Sequence, residues 1–409
     1  MINYIYMNFK SEYDHFIRNK LSCNFLKEFN LDKIMLGNGG SENIILRVVD
    51  KDDNDVILKI FVENIEKNLK KKKDFNMIEI KIYKFLTNEY LLKNRTPHIV
   101  GMIQWTECND IRRLMRLLVQ NNKVCMNDDQ KLLAKKHDIL RDKMCEILLK
   151  SEMKILEPNY QIAMLENCEG NLADLLVYRI EKLKNEKNLS KDIYLLKEFL
   201  YTIFFQIIFT LAIIKDDNPG FLHGDLFIRN ILYRFETEHH LRHYIAYHYK
   251  KKIFYLPANN IYIKISDFGY SMIADKIQSK LFDKKDPIMK YMHMDPYDKK
   301  TDIFTFLHDI YDGGDVGAYS ISTLFKNNQI DKNTISSIRK LLNKFIDLKT
   351  IDYINKYNRY RLDTTWKISG IELLEKTVLT PKEYLESDVF HCFKKLPSKS
   401  HIIHHYNIN

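Results

Sequence analysis

Two polar segments, each next to a strand-like apolar run, place the strongest limits on what this chain can fold into. The first, residues 222–232, reads Leu-His-Gly-Asp-Leu-Phe-Ile-Arg-Asn-Ile-Leu, and the second, residues 264–269, reads Lys-Ile-Ser-Asp-Phe-Gly. Asp225 and Asn230 are five residues apart, so both side chains can point into one cleft. Asp267 ends a second β-rich run. Carboxylate and amide oxygens are ligands that Mg²⁺ accepts, so the two segments predict a metal-dependent site.

Hydrophobic periodicity predicts a β-rich N-terminal part and a mostly helical C-terminal part. We expect strands at 31–36, 44–49, 56–61, 99–103, 160–165 and 261–265, and helices at 75–91 and 192–214. The most apolar stretch, 199–214, is shorter than the roughly 20 residues that a bilayer requires. It is also interrupted by polar side chains, so it predicts a buried core helix and no membrane span.

In order and content, the two polar segments resemble the eukaryotic-type protein kinase superfamily, and in particular the divergent kinases of large DNA viruses. The resemblance covers roughly residues 31–310. It implies an α+β, bilobal protein-kinase-like fold with a β-rich N-lobe, a helical C-lobe and ATP between them. The implied divisions are an N-terminal extension at 1–30, an N-lobe at 31–166 with a charged helical insertion at about 107–158, and a C-lobe at 167–409 with an insertion at about 233–259. The second insertion is rich in histidine but lacks carboxylate or cysteine partners at ligand spacing, so we predict that it faces solvent.

The resemblance also implies roles for individual residues. Asp225 would accept or orient the proton of the substrate hydroxyl, while Asn230 and Asp267 would bind Mg²⁺, with Mn²⁺ as an alternative. Lys59, paired with Glu79 on the predicted helix, would contact the α- and β-phosphates of ATP. The chain has 64 Lys and Arg residues, so the competing interpretation of Lys59 is a solvated side chain.

Spacing in the family supports the assignment of Lys59. The glycine loop of the resembled family begins 22 residues before this lysine, which is Gly37 here. Gly39 falls where the second loop glycine belongs, and Ile44 falls at the apolar position 15 residues before the lysine. In this register the backbone amides of the loop could close over the phosphates of ATP.

Two further segments match the same family. The main chain from Glu166 to Cys168 looks like the hinge that reads adenine. Asp302, within Thr-Asp-Ile-Phe at 301–304, resembles the buried aspartate that supports the catalytic loop.

Several residues depart from the family pattern. Glu42 replaces the third loop glycine, and Gly224 replaces the arginine that follows His223. The latter change implies activity that does not depend on phosphorylation of the activation loop. Phe227 occupies the position of the lysine that is usual in serine/threonine kinases, and Arg229 matches an arginine of tyrosine kinases. We expect Arg229 to act as a catalytic residue that provides positive charge near the γ-phosphate.

The favoured hypothesis is a protein kinase that phosphorylates serine or threonine on a protein whose identity the sequence does not give. A tyrosine-directed kinase is an alternative, because of Phe227 and Arg229. A small-molecule kinase of the aminoglycoside or choline type also carries His-Gly-Asp with this spacing to asparagine, although Gly269 favours a protein kinase. A pseudokinase scaffold is the third alternative, motivated by Glu42.

Composition adds weaker expectations about partners and location. Lys and Arg exceed Asp and Glu by 64 − 54 = 10, which is typical of a lysine-rich solvated surface, and nucleic acid is an unlikely partner on charge alone. The six cysteines include no C-x-x-C pair and are expected to be reduced thiols. The first ten residues lack the pattern of a signal peptide. We therefore expect a cytoplasmic protein, located in host cytoplasm or virion if it is viral.

Overall fold

A computed structural model describes most of the chain. The described residues are 4–18, 20–36, 43–62, 69–120, 146–185, 189–235, 243–258, 261–277, 298–312, 320–328, 330–348 and 378–407. Contacts divide the chain into two units. The N-terminal unit contains residues 6–87 and 100–167, and the C-terminal unit contains residues 1–5, 88–99 and 168–409. The predicted α+β, kinase-like fold class, β-rich first and helical later, is confirmed.

Five strands form an antiparallel sheet in the N-terminal unit, in the order β1-β2-β3-β5-β4. The strands are β1 Asn30–Leu36, β2 Ile44–Val49, β3 Asp55–Phe61, β4 Met102–Cys108 and β5 Tyr160–Glu166. Buried side chains alternate along β2, whereas every residue of β5 is buried. The predicted strands at 44–49 and 56–61 form a hairpin, because Val49 pairs with Asp55 across the turn between β2 and β3. The strand expected at 99–103 is displaced, since Ile99 makes an isolated bridge to Ile265 and β4 begins three residues later.

Helices of the N-terminal unit pack on this sheet. They are α1 Tyr4–Phe16, α2 Leu69–Leu86, α3 Ile111–Gln120 and α4 at 146–152, and a π-helical segment, Thr87–Leu91, follows α2. The segment before β1 packs on this structure, because Phe16, Leu21 and Phe25 are buried in one hydrophobic core with the sheet and with α3. The described parts of the 107–158 segment contain the end of β4 and the helices α3 and α4, and residues 121–145 lie outside the described residues.

A disulfide bond joins Cys23 to Cys108, 85 residues apart in the sequence. The expectation that all six cysteines are reduced thiols is therefore wrong for this pair. Sequence spacing could not reveal the pair, because Cys23 approaches the end of β4 only once the segment after α1 has packed on the sheet.

The C-terminal unit is mostly helical. Its helices are α5 Leu172–Asn185, α6 Leu189–Asp217, α7 Thr301–Asp312, α8 Ile321–Asn327, α9 Lys332–Leu342 and α10 Pro381–Glu386. Its strands are β6 Gly170–Asn171, β7 Phe221–Leu222, β8 Ile231–Phe235, β9 His243–Tyr249, β10 Lys252–Pro257, β11 Ile261–Ile265, β12 Met272–Ile273 and β13 His401–Tyr406. By length and composition α6 could cross a membrane, but 83% of its most apolar window is buried inside the protein. The prediction of a core helix is confirmed.

The 233–259 segment forms part of a second sheet, with strand order β10-β9-β13. The C-terminal strand β13 lies parallel to β9. Tyr247 and Phe254 are fully buried, and both rings contact Phe205 of α6. The prediction of a solvent-facing insertion is therefore wrong for the described residues, because the rings of Tyr247 and Phe254 pack on α6. Residues 236–242 and 259–260 lie outside the described part.

His404 on β13 makes the stability of this sheet depend on pH. Burial and the neighbouring His405 lower the pKa of His404 from 6.5 to about 4, and its Nε2 lies 3.0 Å from Asn94 Oδ1. A histidine whose pKa is lower in the folded state contributes to the free energy of unfolding. This contribution is fully present above the pKa of the unfolded chain, and it is lost as pH falls from about 6.5 towards 4. We expect the free energy of unfolding to fall over that range, by at most about 3 kcal/mol from this residue.

Urea titrations near pH 7 and near pH 4.5 would measure this effect. The His404→Gln variant should show a smaller loss at low pH than the wild type, since glutamine can still donate to Asn94 and cannot be protonated. His401→Gln, at an exposed position of the same strand, is the matched control. Equal pH dependence in wild type and His404→Gln would contradict the prediction.

Candidate active site

Strand pairing brings the two polar segments together. β8 begins directly after Asn230, β11 ends directly before Ser266, and Ile231 pairs with Ile265 across the two strands. Both the backbone amide and the hydroxyl of Ser266 donate to the carbonyl oxygen of Asn230, at 3.0 and 2.7 Å. The residues between the two segments include the β9–β10 hairpin. The two segments are therefore adjacent in space although they are far apart in the sequence.

Asp225 is held by two side chains of its own loop. The amide nitrogen of Asn230 donates to the backbone carbonyl and to Oδ2 of Asp225, at 2.8 and 2.7 Å. Arg229 Nη2 lies 3.3 Å from Asp225 Oδ1, and its guanidinium stacks 4.5 Å from the centre of the Phe227 ring. The carboxylate is 14% exposed, so it is fixed in orientation while one side remains reachable.

The pKa of Asp225 is raised above its ordinary value. Burial is the main cause, while Arg229, His223 and the hydrogen bond from Asn230 act in the opposite direction, and the charge of Asp267 raises it further. A carboxylate with a raised pKa is a stronger base, and therefore a better proton acceptor, than an ordinary surface aspartate.

His223 connects the two polar segments through its ring. Nδ1 accepts from the amide of Asp225 at 3.2 Å, so the proton is on Nε2, which donates to the carbonyl of Ser266 at 3.0 Å. The ring also packs on Phe268 with centroids 5.1 Å apart. Asp267 follows Ser266 with a φ of 61°, in the left-handed region that non-glycine residues occupy only where surrounding contacts fix the backbone.

Helix α7 fixes the backbone of the Asp225 loop at two points. Asp302 accepts from the amides of His223 and Gly224, each at 3.1 Å, which is the supporting contact that its sequence context implied. Asp309 Oδ2 accepts from the amide of Ile228 at 2.8 Å. Residues seven apart lie on one face of a helix, so α7 presents both carboxylates to the same loop.

Lys215 and Asp309 are residues of this site that sequence reasoning missed. Lys215 is buried at the end of α6, with Nζ 3.3 Å from Asp302 Oδ2, and it also donates to the carbonyl of Asp298. Its charge offsets that of the buried Asp302. A lysine at the end of an otherwise apolar core helix was one available signal, and the seven-residue spacing of two aspartates in α7 was another.

Gly224 has a φ of 79°, which explains why glycine occupies this position. For any other residue, the left-handed backbone would cost about 1 kcal/mol or more of conformational free energy. The position therefore favours glycine on backbone grounds, independently of any role in regulation.

A buried ion pair lies in the N-terminal unit. Lys59, on β3, is 8% exposed, and its Nζ lies 2.5 Å from Oε1 of Glu79 on α2, which is 2% exposed. The competing interpretation of Lys59 as a solvated lysine is therefore excluded.

The structure does not bring Ile44 together with Lys59. Ile44 is fully buried in the hydrophobic core on the other face of the sheet, with Leu46 and Leu58. Lys59 lies directly opposite Ile45, so these two side chains share one face of the sheet. Ile44 points to the other face, because side chains alternate along a strand. Gly37, Gly39 and Glu42 lie outside the described residues.

Glu166 is the last residue of β5 and is buried. Its amide donates to the carbonyl of Gly101 at 3.0 Å, and its Oε1 accepts from the amide of Gly101 at 2.6 Å. The amide of Glu166 is thus engaged within the N-terminal unit. The boundary between the two units falls between Asn167 and Cys168, and Cys168 is half-buried.

The oxygens of this site fit a hard divalent cation. The side-chain nitrogen of Asn230 donates to Asp225, so the side-chain oxygen of Asn230 points away from Asp225. Asp267 provides a half-buried carboxylate next to the same loop. Carboxylate and amide oxygens suit Mg²⁺ or Mn²⁺ better than the sulfur or nitrogen ligands that zinc prefers.

Comparisons with known proteins identify relatives of the chain. No family model matches the chain. A protein of Acanthamoeba polyphaga mimivirus is 39% identical over 403 residues, which is 98% of this chain and 99% of the relative. A second mimivirus protein is 28% identical over 211 residues, or 50% of this chain and 38% of that protein. Both carry the name "Putative serine/threonine-protein kinase".

Proposed function

This chain belongs to the viral protein kinase family of these mimivirus relatives, and we propose that it is an ATP-dependent kinase that transfers the γ-phosphate to serine or threonine on a protein. The names of both relatives support serine/threonine specificity.

The observation that carries this proposal is the buried pair of Lys59 and Glu79. A lysine ammonium that is 8% exposed has lost most of its hydration, which is unfavourable unless a carboxylate and a functional partner compensate. Glu79 fixes the direction of the ammonium, which suits it to bind the α- and β-phosphates of ATP. A buried pair with a purely structural role can often be replaced by apolar side chains without loss of stability, so a charged pair at this position favours a catalytic role.

In the C-terminal unit we assign Asn230 and Asp267 to Mg²⁺. The ion would neutralise negative charge on the phosphates of ATP. Asp225 orients the substrate hydroxyl and accepts its proton, and Asn230 keeps the Asp225 carboxylate in place. His223 and Asp302 fix the backbone that leads into Asp225.

Arg229 is assigned to the charge that develops on the transferred phosphoryl group. Its guanidinium is about one-third exposed and is supported on one face by Phe227. The Arg229→Met variant should keep the contact with Phe227 and lose the charge, and we expect kcat to fall by about tenfold or more. Steady-state kinetics with ATP varied would measure this change.

The Arg229→Lys variant is the conservative control, and it should retain more activity than Arg229→Met because it keeps the positive charge. A kcat of Arg229→Met equal to that of the wild type would show that Arg229 has no part in the reaction.

Transfer of labelled phosphate from ATP to a general protein acceptor such as casein, followed by phosphoamino-acid analysis, tests the proposed function. We expect Mg²⁺-dependent labelling of serine or threonine by the wild type and almost none by Asp225→Asn. Labelling of tyrosine alone would overturn the serine/threonine assignment. Transfer only to a small alcohol or amine, or equal labelling by wild type and variant, would overturn the protein kinase itself.

A further inference from the structure

A second group of possible metal ligands lies in the N-terminal unit and includes none of the residues assigned to catalysis. It comprises His15 in the last turn of α1 and Asp50 and Asp52 in the turn between β2 and β3. One ligand atom from each side chain lies within 4.8 Å of the other two. His15 Nε2 is 2.7 Å from Asp50 Oδ2 and 4.0 Å from Asp52 Oδ2.

The turn fixes one of these ligands in place. Asp50 Oδ1 accepts from the backbone amides of Asp52 and Asn54, each at 2.9 Å, so Oδ2 remains directed at His15. The Asp50 side chain is 12% exposed, that of His15 is 36% exposed, and that of Asp52 is 74% exposed. The group is therefore anchored on its inner side and open to solvent on its outer side, where an ion can enter.

The side chain of Asn54 adds a fourth polar group. Its amide lies 3.3 Å from Asp50 Oδ2 and 3.4 Å from His15 Nε2. The oxygen and nitrogen of an asparagine amide are assigned from surrounding hydrogen bonds, so rotation of the amide would direct its oxygen at the same point.

The donor set is one imidazole nitrogen with two carboxylate oxygens from two separate elements. Mg²⁺ and Ca²⁺ prefer oxygen ligands, whereas an imidazole together with carboxylates suits Zn²⁺ and similar transition-metal ions. We propose that His15, Asp50 and Asp52 bind a divalent transition-metal ion of the Zn²⁺ class.

The bound ion would cross-link α1 to the β2–β3 hairpin. Phe16, the residue after His15, is buried in the core of the N-terminal unit, so the ligand is attached to a packed segment. Binding to the folded state alone stabilises a protein by mass action. The thermal stability of the N-terminal unit therefore depends on the metal, independently of kinase activity.

Cobalt(II) serves as the probe, because its visible absorption reports coordination by nitrogen and oxygen ligands. The full chain is titrated with Co²⁺ in excess Mg²⁺, which occupies sites made of oxygen ligands. We expect one Co²⁺ ion per chain, displaced by Zn²⁺, and an increase in the Tm of the wild type with Zn²⁺.

Three variants test the assignment. Asp52→Asn changes an exposed side chain and should weaken Co²⁺ binding by about tenfold or more, and His15→Gln should abolish the absorption band. Asp53→Asn is the matched control, since this neighbour in the same turn is exposed and is outside the ligand group. Its affinity should equal that of the wild type.

Absence of Co²⁺ binding by the wild type would overturn the proposal. It would also be overturned by unchanged affinity in both His15→Gln and Asp52→Asn. Loss of the band in His405→Gln, with retention in His15→Gln, would place the metal at the contact between His248 and His405 instead.

Discussion

Replacement of Asp225 by asparagine is expected to lower kcat by about 10²–10⁴-fold, because the variant cannot accept the proton of the substrate hydroxyl. Asparagine has nearly the same shape and can still accept the hydrogen bond from the amide of Asn230. We therefore expect the Tm to change little. The loss should appear in kcat, with little change in the KM for ATP, since Asp225 is assigned to the acceptor hydroxyl. Steady-state phosphotransfer and thermal unfolding on the same preparation measure both quantities.

A matched control separates this effect from a general change of charge. Asp388→Asn removes a carboxylate that is 93% exposed and paired with Lys394, within the same unit. Its kcat should equal that of the wild type. If the Tm of Asp225→Asn falls strongly, the loss of activity is due to unfolding. If the variant keeps full activity, Asp225 is not the catalytic base.

Removal of Lys59 is expected to damage both stability and activity. The Lys59→Met variant leaves Glu79, which is 2% exposed, without its buried counter-charge. Breaking a buried ion pair in this way typically costs about 3–5 kcal/mol. Loss of a positive charge from the phosphates should also lower kcat by about 10²–10³-fold. Urea unfolding and phosphotransfer assays would measure the two effects separately.

A double variant distinguishes the structural from the catalytic role of this pair. Lys59→Met with Glu79→Leu removes both charges, and apolar replacements of a buried pair are often neutral or stabilising. We expect its free energy of unfolding to return towards the wild-type value while activity stays low. Recovery of activity together with stability would falsify the assignment of Lys59 to ATP.

Local sequence was informative where a function depends on residues close together in the chain. The five-residue spacing from Asp225 to Asn230 was sufficient to predict that they act together, and the amide of Asn230 does contact the carboxylate. The apolar run before Asp267 predicted strand β11, which ends directly before Ser266. These features depend on local periodicity and composition, which a sequence displays directly.

Predictions were wrong or incomplete where distant segments meet. The histidine-rich segment before β11 was expected in solvent, yet Tyr247 packs on Phe205 because the C-terminal strand completes its sheet. The Cys23–Cys108 bond forms between segments that approach only through the core. Ile44 was assigned to ATP from spacing alone, and pairing between β2 and β3 places it on the opposite face from Lys59.

The sequence by itself determined which residue types stand at the positions that we assign to the reaction and indicated most of the strands and helices that carry them. It could not determine the partners that fix those residues, because pairing between strands and packing between helices depend on contacts far apart in the chain. Lys59 was a candidate among many lysines until burial next to Glu79 distinguished it. The supporting contacts of Asp302 and Asp309 likewise exist only because α7 presents both carboxylates to one loop.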